Sequence, residues 1–139
     1  MVATSYQTAS ALLALLAAGC SMKADLSSSD AAIAAFHAQL DRGQFAPIYA
    51  ASAPEMKNVT NEADLVKLLA AVHGKLGRFK GGKAVGWNDT RNASGHFVNI
   101  GYQATYEKGP AMEEFLFRID GDRALLAGYH VNSNALITG

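Results

Sequence analysis

Residues 96–106 read HFVNIGYQATY, and apolar or aromatic side chains occupy almost every second position. A period of two predicts a β-strand with one buried face. Residues 113–120 alternate in the same way, and the Asp-Gly-Asp step at 120–122 is typical of a tight hairpin. With further strands expected over about 80–88 and 123–132, this half of the chain predicts a four-stranded antiparallel meander.

The residues before the sheet have helical spacing. Apolar side chains recur at intervals of three and four over residues 33–40 and again over 65–76, which predicts two amphipathic helices. Asn61 is the expected N-cap of the second helix, and Gly77 is expected to end it. Helices followed by a run of strands predict an α+β fold, with N-terminal helices packed on a curled four-stranded antiparallel sheet.

A short helix is expected between these two, around residues 45–49, with Pro54 ending it. The expected core lies where the helices pack on the sheet. Its predicted members are Phe36, Leu40, Leu69, Val72, Phe115 and Phe117.

The N-terminus differs in composition from the rest of the chain. All 12 basic and 12 acidic residues follow Cys20. Residues 11–18 read ALLALLAA, which is too short for a membrane span but suits the apolar region of a secretory signal. The run continues through Gly19 to Cys20 and Ser21, and this resembles the lipobox of a bacterial lipoprotein. The alternative is a buried Ala/Leu helix over residues 9–20.

The lipoprotein resemblance implies a processing scheme. Residues 1-19 would be a lipoprotein signal peptide, although residues 1–7 lack the Lys or Arg usual in such signals. Cys20 would carry a diacylglyceryl thioether and an amide-linked acyl chain such as palmitate, which together anchor a protein stably. Residues 20-29 would be a lipidated tether. Ser21, rather than Asp, favours the inner leaflet of the outer membrane, facing the periplasm.

The domain itself, residues 30-135, resembles a known fold. Residues 36–45 read FHAQLDRGQF and lead towards Ile48-Tyr49, while residues 76–80 (LGRFK) join the last helix to the sheet. These two connections resemble those of a group of small bacterial lipoproteins. The domains of that group are of unknown function and have the cystatin-like (nuclear-transport-factor-two-like) fold, in which a curled sheet forms a cone. The resemblance implies fold and compartment and no activity, because that fold carries many unrelated functions.

Composition excludes several classes of function. The formal net charge is zero, which argues against a nucleic-acid partner, since such binding needs a basic surface. A single cysteine excludes an intramolecular disulfide and a multi-thiolate metal cluster. The four histidines do not have zinc-motif spacing, so the sequence predicts no metal site and no cofactor. They are His37, His73, His96 and His130.

Aromatic side chains of the sheet are the candidate partner or ligand surface. Trp87, Tyr102, Tyr106 and Tyr129 could extend over the part of the sheet that the helices leave uncovered. The alternative is that they belong to the core. For an enzyme, the candidates in a cone cavity would be Asp89, Tyr102, Tyr106, Tyr129 and His130, but nothing in the sequence pairs them, so no catalytic residue is assigned.

The interpretation that these observations favour is a lipid-anchored envelope protein whose domain is a non-catalytic binding module. Its partners would be the membrane, through Cys20, and an envelope protein or small ligand. A periplasmic immunity protein that neutralises a secreted toxin is the alternative, and a small enzyme using the cone cavity is third. A weaker candidate surface is a basic group before the sheet, formed by Lys75, Arg78, Lys80 and Lys83.

Overall fold

The computed structural model describes the backbone of residues 10–138 and the side chains of residues 22–138. Over this part the chain has the expected α+β class, with helices followed by an open antiparallel sheet. The elements are α1 (Ser10–Asp41), α2 (Phe45–Ala50), α3 (Pro54–Val59), α4 (Glu62–Leu76), β1 (Phe79–Asn92), β2 (Gly95–Tyr106), β3 (Gly109–Asp120), β4 (Arg123–Asn132) and α5 (Asn134–Thr138).

The sheet is the predicted meander, with strand order β1-β2-β3-β4 and antiparallel pairing throughout. β4 has the expected bounds. The expected end of β1 near Trp87 is wrong, because β1 continues to Asn92 and the connection to β2 is only two residues long. The polar residues 88–92 read as a turn in the sequence, but polar side chains are equally suited to an exposed edge strand.

The helices differ from expectation at Pro54. This residue begins α3 rather than ending α2, which already ends at Ala50. Proline is tolerated in the first turn of a helix because the N–H that it lacks has no partner there. α4 is as predicted: the Asn61 side chain accepts a hydrogen bond from the Asp64 N–H at 2.8 Å, and Gly77 ends the helix with a φ of 76°.

α1 is much longer than expected. Residues 22–29 continue it, with Ser29 fully buried and Asp25 only 8 % exposed, so this part of the expected tether 20-29 packs against the domain. The Ser29 hydroxyl donates to the Asp25 carbonyl at 2.8 Å, and this intrahelical bond satisfies the buried hydroxyl within the helix. Within the described residues, none of the helices combines the length and apolarity that a membrane crossing requires.

The core lies between helices α1–α4 and one face of the sheet. All six residues expected in it are buried, none more than 4 % exposed. Phe36 of α1 packs edge-on against Phe115 of β3, with ring centroids 5.1 Å apart. Phe115 and Phe117 lie parallel on the same strand face at 5.9 Å. The strand register assigned from the alternation is therefore confirmed for β3.

Candidate functional site

The four aromatic residues predicted as a partner surface share one face of the sheet. Trp87 pairs with Ile100 across β1 and β2, and Ile100 lies on the same strand face as Tyr102 and Tyr106. This is the face that the helices cover. Tyr106 and Tyr129 are 2 % and 7 % exposed, so their assignment to a partner surface is corrected: both belong to the core.

Tyr106 and Tyr129 converge instead on a buried carboxylate. The two phenol O–H groups donate to Oε2 of Glu113, at 2.9 Å from Tyr106 and 2.5 Å from Tyr129. Oε1 of Glu113 lies 2.8 Å from Nε2 of His37. Glu113 has no exposed surface and His37 is 2 % exposed. We call these four residues the Glu113 cluster.

Each member of the Glu113 cluster comes from a different element. His37 lies on the helix stripe of α1, Tyr106 ends β2, Glu113 faces inwards from β3, and Tyr129 faces inwards from β4. The sequence does contain a signal for Glu113, since it alternates in phase with Phe115 and Phe117 on an apolar face. A carboxylate on the buried face of a strand needs hydrogen-bond donors, and here His37, Tyr106 and Tyr129 supply them.

The cluster keeps its tyrosines protonated. Burial, together with the neighbouring Glu113 carboxylate, raises the pKa of Tyr129 well above its usual value. The same two causes raise the pKa of Tyr106. Both phenols therefore remain hydrogen-bond donors throughout the range in which an exposed tyrosine would ionise.

His37 is fixed on all sides. Its ring stacks on Phe79 at 3.7 Å with an interplanar angle of 2°, and Phe36 and Phe115 contact it edge-on. Nδ1 of His37 is buried without a hydrogen-bond partner among the described side chains. The only polar contact of the ring among the described side chains is therefore the one to Glu113. Both oxygens of the Glu113 carboxylate have partners within the cluster, and the carboxylate is closed off from solvent.

Trp87 and Tyr102 are more exposed than the two tyrosines of the Glu113 cluster, although the ring of Tyr102 packs against the core, 5.4 Å from the His37 ring. Trp87 is 50 % exposed on β1, the edge strand. Tyr102 is half-buried and lies over Gly82, where a Cβ would come within 2.4 Å of its Cε1. Burial and the Glu113 carboxylate also raise the pKa of Tyr102. Of the predicted surface, these two residues are the part that a partner could contact.

A second polar cluster lies at the far end of the same sheet face, where β1 turns into β2. Nε2 of His96 is 3.0 Å from Oδ1 of Asp89 and 3.6 Å from Oδ2 of Asp25 in α1. One potential ligand atom from each residue lies within 4.8 Å of the others. Arg91 borders the group, with Nη2 at 3.5 Å from Oδ2 of Asp25. We call Asp25, Asp89 and His96 the hairpin cluster.

Sequence reasoning missed the hairpin cluster for two reasons. Asp89 and His96 are neighbours only when the turn is confined to the two residues after Asn92, whereas the sequence predicted that the strand ends at about residue 88. Asp25 falls in the residues expected to form a tether. The other enzyme candidates do not assemble: His130 is exposed on the opposite face of the sheet, away from Tyr102 and Asp89. The Cys20 side chain lies outside the described residues.

Comparison with known proteins gives a family and no activity. A search of the curated proteins found no match. A family described as "Protein of unknown function (DUF4019)" matches residues 32–129, which is more than half of the chain. The matched range contains the whole Glu113 cluster together with Asp89 and His96, whereas Asp25 precedes it. On this match, the chain belongs to the DUF4019 family.

Proposed function

We propose that this protein is a lipid-anchored envelope protein whose domain binds a partner through the exposed part of β1. The half-exposed Trp87 on a free sheet edge carries the proposal. Tryptophan contributes more than most residues to protein interfaces, because its large ring leaves water while its N–H keeps a partner. The helix-then-meander order is also that of the cystatin-like cone, which the sequence resembles.

The free edge of β1 is better suited to binding one specific partner strand than to pairing with the edge strands of other molecules. β1 pairs with β2 on one side, and among the described strands none pairs with its other side. Irregularities between Phe79 and Gly81 and between Ala84 and Gly86 interrupt the first half of the strand. Bulges of this kind limit edge-to-edge aggregation. Residues 86–92 pair regularly and offer an ordered edge to which a partner strand could add.

Binding is favoured over catalysis because of where the polar groups lie. The group that most resembles an acid–base site is the Glu113 cluster, and its carboxylate has no exposed surface. A substrate would have to displace Phe79, Phe115 or Phe36 to reach His37. The Glu113 cluster therefore supports a structural role in holding α1 against the sheet.

The binding surface is tested by site-specific photocrosslinking in intact cells. A benzophenone amino acid at position 87 is expected to give a discrete adduct with one envelope component. The matched control is position 59 on α3, where Val59 is 81 % exposed on a different element. Equal adduct patterns at 87 and 59, or no adduct at 87, would contradict the proposed surface.

The anchor is tested separately at Cys20. Because the lipid would be attached to the thiol and the lipoprotein-specific cleavage requires that lipid, Cys20→Ala is expected to block both lipid attachment and the cleavage before residue 20. Inhibition of the lipoprotein signal peptidase should leave an uncut precursor. Mass spectrometry of the mature protein would overturn the lipid anchor if it found Cys20 unmodified.

A further inference from the structure

We propose that the hairpin cluster is a binding site for a divalent transition-metal ion, best suited to Zn²⁺. Its ligands would be Oδ2 of Asp25, one carboxylate oxygen of Asp89 and Nε2 of His96. The cluster joins α1 to both strands of the first hairpin. It shares no residue with the Glu113 cluster, and on β1 its Asp89 lies two residues from Trp87 on the same strand face.

Two of the three distances between the ligand atoms fit metal coordination, and all three are within 4.8 Å. Ligand atoms about 2.1 Å from a zinc ion are about 3.4 Å from each other in a tetrahedral site. Nε2 of His96 lies 3.0 Å from Oδ1 of Asp89 and 3.6 Å from Oδ2 of Asp25, on either side of that value. One imidazole and two carboxylates are a ligand set that zinc accepts, and imidazole favours it over Mg²⁺ or Ca²⁺.

The second observation is the state of Asp25. Its side chain is 10 % exposed, and Oδ2 is buried without a hydrogen-bond partner among the described side chains. That oxygen lies 3.5 Å from Nη2 of the exposed Arg91 and 3.6 Å from Nε2 of His96, and the closest contact of that Nε2 is Asp89. A single proton on Nε2 can bond well to one carboxylate, which leaves the other unsatisfied. A dication at the same point would contact both carboxylates and balance their two charges.

Arg91 does not close the site. Its guanidinium lies 3.5 Å from Asp25 and 3.9 Å from Asp89, beyond good hydrogen-bond distance, and its side chain is 62 % exposed. An exposed arginine can turn into solvent when a cation enters. Three protein ligands would leave at least one coordination position for water or for a group of an external ligand.

The test is zinc titration of the full chain, purified in detergent and stripped of metal with EDTA. Calorimetry is expected to show one Zn²⁺ per chain, with thermal unfolding moved to higher temperature. Asp25→Asn and His96→Gln should each weaken binding by more than the roughly 10–100-fold that loss of an outer partner costs. His130→Gln is the matched control, since His130 is exposed on the opposite sheet face, and it should bind like the wild type.

Cobalt substitution gives a readout that folding alone does not change. Co²⁺ bound at the hairpin cluster is expected to show visible d–d absorption, which His96→Gln removes and His130→Gln retains. Circular dichroism in EDTA identifies any variant that fails to fold, and Asp89→Asn then provides the second test. Zinc binding that is absent in the wild type, or equal in His96→Gln, would overturn the proposal and leave the hairpin cluster as an ion-pair network.

Discussion

The Glu113 cluster and the hairpin cluster both combine carboxylate and imidazole groups, yet they differ in hydrogen-bond satisfaction and in solvent exposure. Each joins a side chain of α1 to carboxylate or imidazole groups of the sheet. In the Glu113 cluster both carboxylate oxygens have donors at 2.5–2.9 Å, and solvent is excluded. In the hairpin cluster Oδ2 of Asp25 has no such donor, and His96 and Asp89 are each 16 % exposed.

This difference separates structure from function. A buried polar group with all its partners stabilises one arrangement of the core and has nothing left to offer a ligand. A nearly buried group that lacks a partner is a reason to expect a ligand, because leaving it unsatisfied costs free energy. Nδ1 of His37 is also buried without a partner among the described side chains, but it is enclosed by aromatic rings, whereas Asp89 and His96 beside Asp25 are each 16 % exposed. The satisfied carboxylate therefore assigns the Glu113 cluster to folding, and the unsatisfied, accessible one assigns the hairpin cluster to binding.

The largest expected effect follows removal of the Glu113 carboxylate. Glu113→Ala would leave three buried polar side chains without their acceptor, and we expect it to lower the free energy of unfolding by about 3–5 kcal/mol. Urea denaturation measures this. Glu113→Gln keeps the size and one acceptor and should cost less. Glu114→Ala, on the exposed side of the same strand, is the control and should change stability by less than about 0.5 kcal/mol. Equal losses of unfolding free energy in Glu113→Ala and Glu114→Ala would show that Glu113 does not hold a buried hydrogen-bonded cluster together.

A smaller effect is expected at alkaline pH. Tyrosine in the unfolded chain ionises near pH 10, whereas burial and Glu113 raise the pKa of Tyr106 and Tyr129 in the folded chain. Above pH 10 the folded state therefore binds more protons than the unfolded state, so stability falls as pH rises. For each of the two tyrosines the expected slope is about 0.7 kcal/mol per pH unit at pH 10 and approaches about 1.4 kcal/mol per pH unit above pH 11.

Denaturation curves between pH 9 and 11 measure this slope. The contribution is fully present below pH 10 and is lost as the pH approaches the raised values. Tyr129→Phe should remove the contribution of one tyrosine to this slope, and the double variant with Tyr106→Phe should remove the contributions of both. An unchanged slope in the double variant would mean that these phenols do not face the carboxylate as described.

The smallest effect is expected in the hairpin cluster without metal. Asp25→Asn in EDTA should change stability by at most about 1 kcal/mol, because its ion-pair contacts are long and Arg91 is exposed. The same denaturation assay with saturating Zn²⁺ should separate the two proteins, since only the wild type gains from metal binding. A loss in EDTA as large as that of Glu113→Ala would show that Asp25 is a structural residue.

Local pattern predicted much of the fold. The alternation in residues 96–106 and 113–120 fixed two strands and the buried phenylalanines, and Asn61 with Gly77 marked α4. These features depend on contacts within one element or between neighbours in sequence. Pro54 was misread because proline is compatible with both the end of one helix and the beginning of the next.

The sites were less predictable because they depend on distant parts of the chain. His37 and Glu113 are 76 residues apart and meet only after α1 docks on the sheet. Tyr106 and Tyr129 were placed on the correct common face, but the sequence did not show that helices cover it. Asp25 reaches Asp89 and His96 through an extension of α1 that a serine-rich composition does not suggest.

The most direct test of this account is the nitrogen NMR spectrum of the histidine side chains during addition of one equivalent of Zn²⁺ to the metal-free chain. The ring nitrogens of His96 are expected to shift as Nε2 becomes a ligand. Those of His37 should stay in place, because its Nε2 faces Glu113 at 2.8 Å inside a closed core. A zinc-dependent shift at His37, or none at His96, would contradict the division between a closed structural cluster and an open binding site.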